Sequence, residues 1–405
     1  MQRRHFLSGA LAAAFSSPGF AHASVRPITT GPRYHWFGYY DKLQFDPSSR
    51  YVLGMQVDFE HRSPKPDDVI RVGVIDTAEN DRWQELGTSR AWNWQQGCML
   101  QWLPGSKSEV IWNDREGDQF ISRVKDFKTG KERTLAAAIY TLSPDGKSAV
   151  YPDFRRLNDC RPGYGYTGNP DPNFNVRVPD DAGIWHLDIP SGKTKLLISF
   201  AGAEKIAYPK GYPAGAKHWF NHLLYSPDGL RFIFLHRWRG ASELGNRFST
   251  RMFTADRNGK DLYILDPHGR TSHFIWRDPE HVLAWAGHPS HQGDRFYLYK
   301  DKTQKVEVVG DGVMVVNGHC TYLPGNRFIL NDTYPDKDRN QNPYVYEIAT
   351  GKRTSLGLFH SPKEYVGEWR CDNHPRFSPD GKKVCIDSPH QGGRQMYLID
   401  ISSLV

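Results

Sequence analysis

NHLLYSPDG, residues 221–229, runs from a short apolar stretch into a tight turn, and that turn recurs along the chain. SPDG stands again at 143–146 and 378–381, with looser forms FDPSS at 45–49, WLPGS at 102–106, WRDPE at 276–280 and YLPGN at 322–326. Proline presets such a turn, and aspartate or glycine tolerates the backbone that closes it. A bulky apolar anchor precedes or opens each one: Phe45, Trp102, Leu142, Tyr225, Trp276, Tyr322 and Phe377. Behind each turn comes a second apolar run: RYVLGM, EVIWND, SAVYPD, RFIFLH, HVLAWA, RFILND and KVCIDS. Each pair reads as a β-hairpin.

A second series follows the first: RVGVIDT, ISRVKDFKTG, IWHLDIPSG, LYILDPHG, FYLYKDKT, YVYEIATG and MYLIDISS. Each is an alternating strand entering a polar turn, and a further short strand often comes next, as in KTKLLISF. Seven units of about four strands, with little helical periodicity, define an all-β seven-bladed propeller. The 83 residues from Leu142 to Tyr225 leave room for more. Residues 155–182 are rich in Gly, Pro, Asn and Asp and lack a strand pair, so they read as an insertion loop and not an eighth blade. The last unit reaches Val405 after its third strand, and the segment around 25–37 is expected to supply the fourth and close the ring. Residues 24–405 then form one propeller domain whose blades bury their apolar faces against one another.

The start, MQRRHFLSGALAAAFSSPGFAHA, pairs Arg3 and Arg4 ahead of Phe6–Leu7 and an apolar run, with Ala-His-Ala at its end. It reads as an export signal of the twin-arginine type, residues 1–23, cut after Ala23, which implies a periplasmic or secreted protein. No later stretch is long and apolar enough to span a bilayer. The five cysteines are widely spaced with no CxxC pair, so neither a disulfide framework nor a cysteine zinc site is indicated. The formal charge is +7, and removing the signal takes away two arginines and no acid, leaving +5. This surplus favours an anionic partner. Its arginines are dispersed among acids with no basic run, so a nucleic-acid module is not indicated.

In a propeller the first strand of each blade lines the central channel. The residue three before each anchor is Lys42, Met99 and Ile139 in the first three units, then His222, His273, His319 and His374 in the last four. A lone histidine at a strand start is ordinarily structural. Four in register, drawn from 17 in the chain, point to a shared site. Converging imidazoles hold a divalent metal or exchange protons. Asp372, two residues before His374, is a further oxygen ligand or an orienting partner. His236, in FLHRW, closes the strand after the His222 turn, while His288, His291 and His390 follow later second strands. Arg237, Arg239, Arg247 and Arg251 crowd the same region, and arginine suits bidentate capture of a carboxylate or sulfate. Trp219, Trp238 and Trp276 offer faces for sugar stacking.

WFNHLLYSPDG, RMF at 251–253, SHFIW and NHPRFSPDG, in this order, resemble the oligogalacturonate lyases, which are seven-bladed propellers; the match covers about the last 190 residues. FGYYDK at 37–42 is similar to the propeller-type ulvan lyases. The resemblance implies cleavage of a uronate-containing polysaccharide by β-elimination. It implies that His222 is the catalytic base and that His273 and His374 are metal ligands. Where that family has another histidine and a glutamine, this chain has Asp372 and Trp369. Aspartate can bind manganese, calcium or zinc and tryptophan cannot, so the metal site is either altered, with His319 available to compensate, or lost.

Elimination removes the proton at C5 of a uronate, whose carboxylate must first be neutralised. The expected roles are His222 as base, Arg251 with a divalent metal on His273, His319, His374 and Asp372 as neutraliser, and His236 or else a tyrosine as acid. Arg237, Arg239 and Trp238 are expected to bind an anionic carbohydrate, and the protein is expected to be a monomer. The alternative reading is a non-catalytic exported propeller of the TolB type, a binding or scaffold module.

Overall fold

The computed structural model describes residues 24–241 and 247–405, so the proposed signal segment lies outside the described residues. Seven four-stranded antiparallel sheets follow one another along the chain, one per blade of a β-propeller, with a small two-stranded sheet beside the sixth. All seven anchors stand in or beside the innermost strand of a blade. In the fourth blade the strands are Lys217–Tyr225, Arg231–Arg239, Ser249–Asp256 and Tyr263–Gly269.

The SPDG turn is a side-chain-locked hairpin. Ser226 Oγ donates to Arg231 O at 3.0 Å and lies 2.6 Å from Asp228 Oδ1. Gly229, at φ +70°, closes it with an N–H to Ser226 O. The Ser143 and Ser378 turns repeat the arrangement.

Apolar clusters run between blades. One joins Ile111 and Val124 of the second blade to Val150 and Ile184 of the third and Phe220 and Phe232 of the fourth. Another joins the first blade to Cys385, Met396 and Leu398 of the seventh. No blade buries its faces alone, the packing a propeller requires. All five cysteines are buried and unpaired.

The N-terminal segment divides between two blades. Val25–Pro27 pairs with Gln395–Asp400 as the outer strand of the seventh. Tyr34–Trp36 pairs with Met55–Val57 as the inner strand of the first. That inner strand is then interrupted, and pairing resumes at Phe45 opposite Val52. The intervening residues enter the channel. Gly38, at φ +99°, lies so close to Gln96 that a Cβ there would sit 2.9 Å from its carbonyl carbon. Asp387 accepts from the N–H groups of Phe37 and Gly38, while Arg376 bonds both Asp387 and Gln44. This pair tethers the excursion at both ends.

Two expectations are corrected. LYILDPHG is not the third strand of its blade but the fourth; the third is Ser249–Asp256, whose Thr250, Arg251 and Thr254 are polar yet buried. Those residues hid the strand from an apolar pattern. The insertion at 155–182 is not wholly irregular: helix Phe154–Cys160 begins it, capped by Asp153. Arg156 anchors that helix, ion-paired with buried Asp171 at 3.2 Å and bonded to His218 O at 2.9 Å.

Candidate active site

The strand Lys217–Tyr225 is irregular at one residue. Asn221 pairs with Leu235 and Leu223 with Phe234, so His222 is the extra residue of a β-bulge. Its φ is +51°, and Met99 and His374, which share its position before the anchor, have φ +54° and +42°. A left-handed conformation costs a non-glycine residue about 1–3 kcal/mol. A bulge re-aims a side chain that strand alternation would send elsewhere.

His222, His273, His319 and His374 form a continuous arc, each 2–5 % exposed. Ring centroids are 6.0 Å apart from His222 to His273, 4.3 Å to His319 and 4.1 Å to His374. Asp332 orients the far end, lying 2.9 Å from His319 Nδ1 and accepting from the backbone N–H of His319 and His374. Asn317 Oδ1 stands 3.0 Å from His273 Nδ1. The Nε2 atoms of His319 and His374 are buried without a hydrogen-bond partner among the described residues. One donor atom from each of His319, Asp372 and His374 lies within 4.8 Å of the others. Two imidazoles and a carboxylate, with a carboxylate behind one imidazole, fit a divalent cation. His273 stands beside this set, toward His222.

At the other end of the arc, the Tyr39 hydroxyl hydrogen-bonds His222 Nε2. Tyr40 hydrogen-bonds the backbone of Phe274, one residue nearer the turn than His273. Burial drives these groups apart in acidity. Desolvation, reinforced by Arg237, holds the His222 pKa well below its usual value, and desolvation raises that of Tyr39 well above the phenol range. His222 is therefore neutral and Tyr39 protonated near neutral pH. Burial opposes charge on His319, but Asp332 overcomes it and raises its pKa.

A cationic rim adjoins the arc. Arg237 is buried, and its Nε has no partner among the described residues. Desolvation and nearby Arg161 lower its pKa to about 9, which leaves it charged at neutral pH. Arg370 Nη2 donates to the Tyr164 hydroxyl at 2.8 Å, and its Nε to Asp372 at 2.7 Å. Burial resists ionisation of Tyr164, yet Arg370 and Arg161 outweigh it and lower its pKa to about 7. The Tyr164–Arg370 bond carries the insertion of the third blade across to the segment that enters the seventh.

His236 and Arg251, expected as acid and neutraliser, do not face His222. Strand pairing puts His236 beside Phe220 and Arg251, next to His218 and Trp238. Arg251 is held by Ala203 O, Ala207 O and His236 Nδ1. Arg237, one residue from His236 and so on the opposite face, takes the place expected for Arg251. Arg239 bonds Cys160 O, and Trp238 is buried with Tyr208 and Tyr212. Trp369 spends its indole N–H on Glu364 O. Sequence reasoning missed Tyr39, Tyr164, Asp332 and Arg370. Only FGYYDK, an irregular polar break in an inner strand, signalled the first.

The fold is similar to that of solved oligogalacturonate lyases. One, from Vibrio parahaemolyticus, superposes with TM-score 0.66 at 14% identity, covering 95% of both chains. Another, in complex with manganese, gives TM-score 0.68 at 15% identity and the same coverage. TolB from Acinetobacter baumannii aligns with TM-score 0.42 at 13% identity, over 87% of this chain and 80% of that one. Comparison with protein-family models and with curated protein sequences finds no match.

Proposed function

We propose that this protein is a polysaccharide lyase that cleaves a uronate-containing chain by β-elimination. One observation carries the reading: a neutral imidazole and a protonated phenol, His222 and Tyr39, are hydrogen-bonded to each other beside a buried guanidinium with an unpartnered nitrogen. Two groups whose surroundings push their acidities apart are suited to act as a base and an acid.

Arg237 pairs with the uronate carboxylate and offsets the charge that builds there as C5 loses its proton. With His222 protonated on Nε2 toward Tyr39, its other nitrogen takes the C5 proton. The C5–H electrons form the C4–C5 double bond as the C4–O4 bond breaks. The Tyr39 hydroxyl gives its proton to O4, and the His222 imidazolium returns one to the Tyr39 phenolate. His222 is left with its proton on Nδ1, and exchange with solvent returns it to Nε2, so the cycle consumes no net acid or base. A divalent cation held by His319, Asp372 and His374 would supply a second positive charge for the carboxylate. Lyases of this fold support the polysaccharide class, and the manganese in one of them supports a divalent ion.

The test is incubation of the protein with divalent metal and a panel of pectic, ulvan and glycosaminoglycan substrates, following the ultraviolet absorbance of the unsaturated product. Absorbance rising on at least one substrate is the expected result. No signal on any of them overturns the reading.

A further inference from the structure

A second hollow, of about 860 Å³, opens between the fourth and fifth blades. Tyr208, Tyr212 and Trp238 form one side, and Lys210, Arg270 and His288 contribute the charge and hydrogen-bonding groups. No carboxylate lines it among the described residues. Tyr208 and Tyr212 stack with ring centroids 5.9 Å apart, and Trp238 stands edge-on to both. Arg270 is 2.9 Å from Asp294, in an ion pair whose arginine side chain is 60% exposed.

Behind the aromatic wall runs a directional chain of polar groups. Arg251 has only protons to give, so His236 Nδ1 accepts from its Nε at 3.2 Å. His236 Nε2 therefore carries the hydrogen and donates to His218 Nδ1 at 2.9 Å, which leaves the His218 proton on Nε2. The Arg251 guanidinium lies 5.5 Å from the Tyr212 ring and 5.9 Å from that of Trp238. Its hydrogen bonds go to carbonyls and an imidazole, none to a carboxylate among the described residues. Its charge acts on the hollow with those of Lys210 and Arg270, against the nearby carboxyl groups of Glu204, Asp266 and Asp294.

We propose that this hollow is a non-catalytic subsite for an anionic pyranose, a sugar bearing a carboxylate or a sulfate. Tyr208 and Tyr212, each half-buried and backed by the buried Trp238, pack the C–H face of a pyranose, while Lys210, Arg270 and His288 meet its acid group. The volume falls in the range of built ligand sites. Tyr208–Pro213, Trp238 and Ser249 all sit at the end of the blade remote from its SPDG turn. A chain anchored there extends along the same end of the propeller as the histidine arc. Identifying the ligand as a segment of the lyase substrate rests on the function proposed above; the preference for an anionic sugar does not.

The test uses a His222→Ala/Arg237→Ala background, which removes turnover and the axial partner of the carboxylate. Calorimetric titration with trigalacturonate, a sulfated galacto-oligosaccharide and neutral galactotriose compares that protein with one also carrying Lys210→Glu and Arg270→Glu. Binding of at least one anionic sugar, weakened about tenfold or more by the reversals, is expected, with galactotriose not bound. Which anion binds identifies the acid group. His288→Ala provides the same comparison if the double reversal does not fold. Absence of binding to both anions, or affinities unchanged by the reversals and by His288→Ala, overturns the proposal. The lyase assay is separate: turnover without this binding sinks only the subsite, and binding without turnover on any substrate sinks only the lyase.

Discussion

Two groups of buried histidines belong to this propeller, and they differ in what their nitrogens touch. In the fourth blade, His218 and His236 bond each other, and His236 also accepts from Arg251. Along the channel, His319 and His374 are equally buried, yet their Nε2 atoms have no hydrogen-bond partner among the described residues. An unpartnered buried polar atom costs about 1–3 kcal/mol. The first group offsets that cost within the chain. The second leaves it open to a ligand or a water. Neither burial nor the number of histidines tells the two clusters apart; their hydrogen-bond partners do.

The largest effect that tests this contrast is on turnover. His222→Ala should lower the elimination rate by about 10²–10⁴, the usual contribution of a general base, with Tyr39→Phe in the same range. His236→Phe should leave the rate within about tenfold, because His236 does not face the substrate. A rate lost equally in both would collapse the distinction. Next, Arg237→Ala should cost about 10²–10³ in kcat/KM if its charge meets the carboxylate, and Arg251→Lys far less.

Metal content separates the groups without any turnover. Elemental analysis should find that His319→Ala and His374→Ala lose the bound ion while His218→Ala and His236→Phe retain it. The blade-four variants should instead lose about 2–4 kcal/mol of stability in denaturant unfolding, since each strands a buried partner. The smallest effect of a single substitution is on the pH slope of stability. Burial lowers the pKa of His218 and of His35 to about 4. The unfolded chain takes up those protons near pH 6.5, so it binds more protons than the folded one between the two values. Stability should therefore fall as pH drops from about 6.5 toward 4, by about 1.4 kcal/mol per unit for each such histidine. Thermal unfolding across that window measures it, and His218→Gln should flatten the slope.

The axial arc was legible because a propeller repeats. Once the SPDG-like turns were aligned, counting three residues back from Tyr225, Trp276, Tyr322 and Phe377 placed all four histidines in one register. The acid and the cation were not legible by that route. His236 and Arg237 are neighbours in sequence, but strand alternation sends them to opposite faces, and only the register with Phe220 and Trp219 says which is which. Tyr39 reaches the channel because an inner strand breaks for the residues before Phe45. Tyr164 and Arg370 meet from segments 206 residues apart.

The sequence by itself determined the ring of seven blades, the turns that define them and the four histidines that face the axis. These follow from local chemistry repeated at a fixed position: a turn residue and a strand period carry the same meaning in every unit. Tertiary structure alone decided which of those histidines keeps an open nitrogen, which arginine lies beside them and which tyrosine bonds His222. Those outcomes depend on bulges, insertions and burial, where residues distant in the chain compete for the same partners, and no local pattern records that competition.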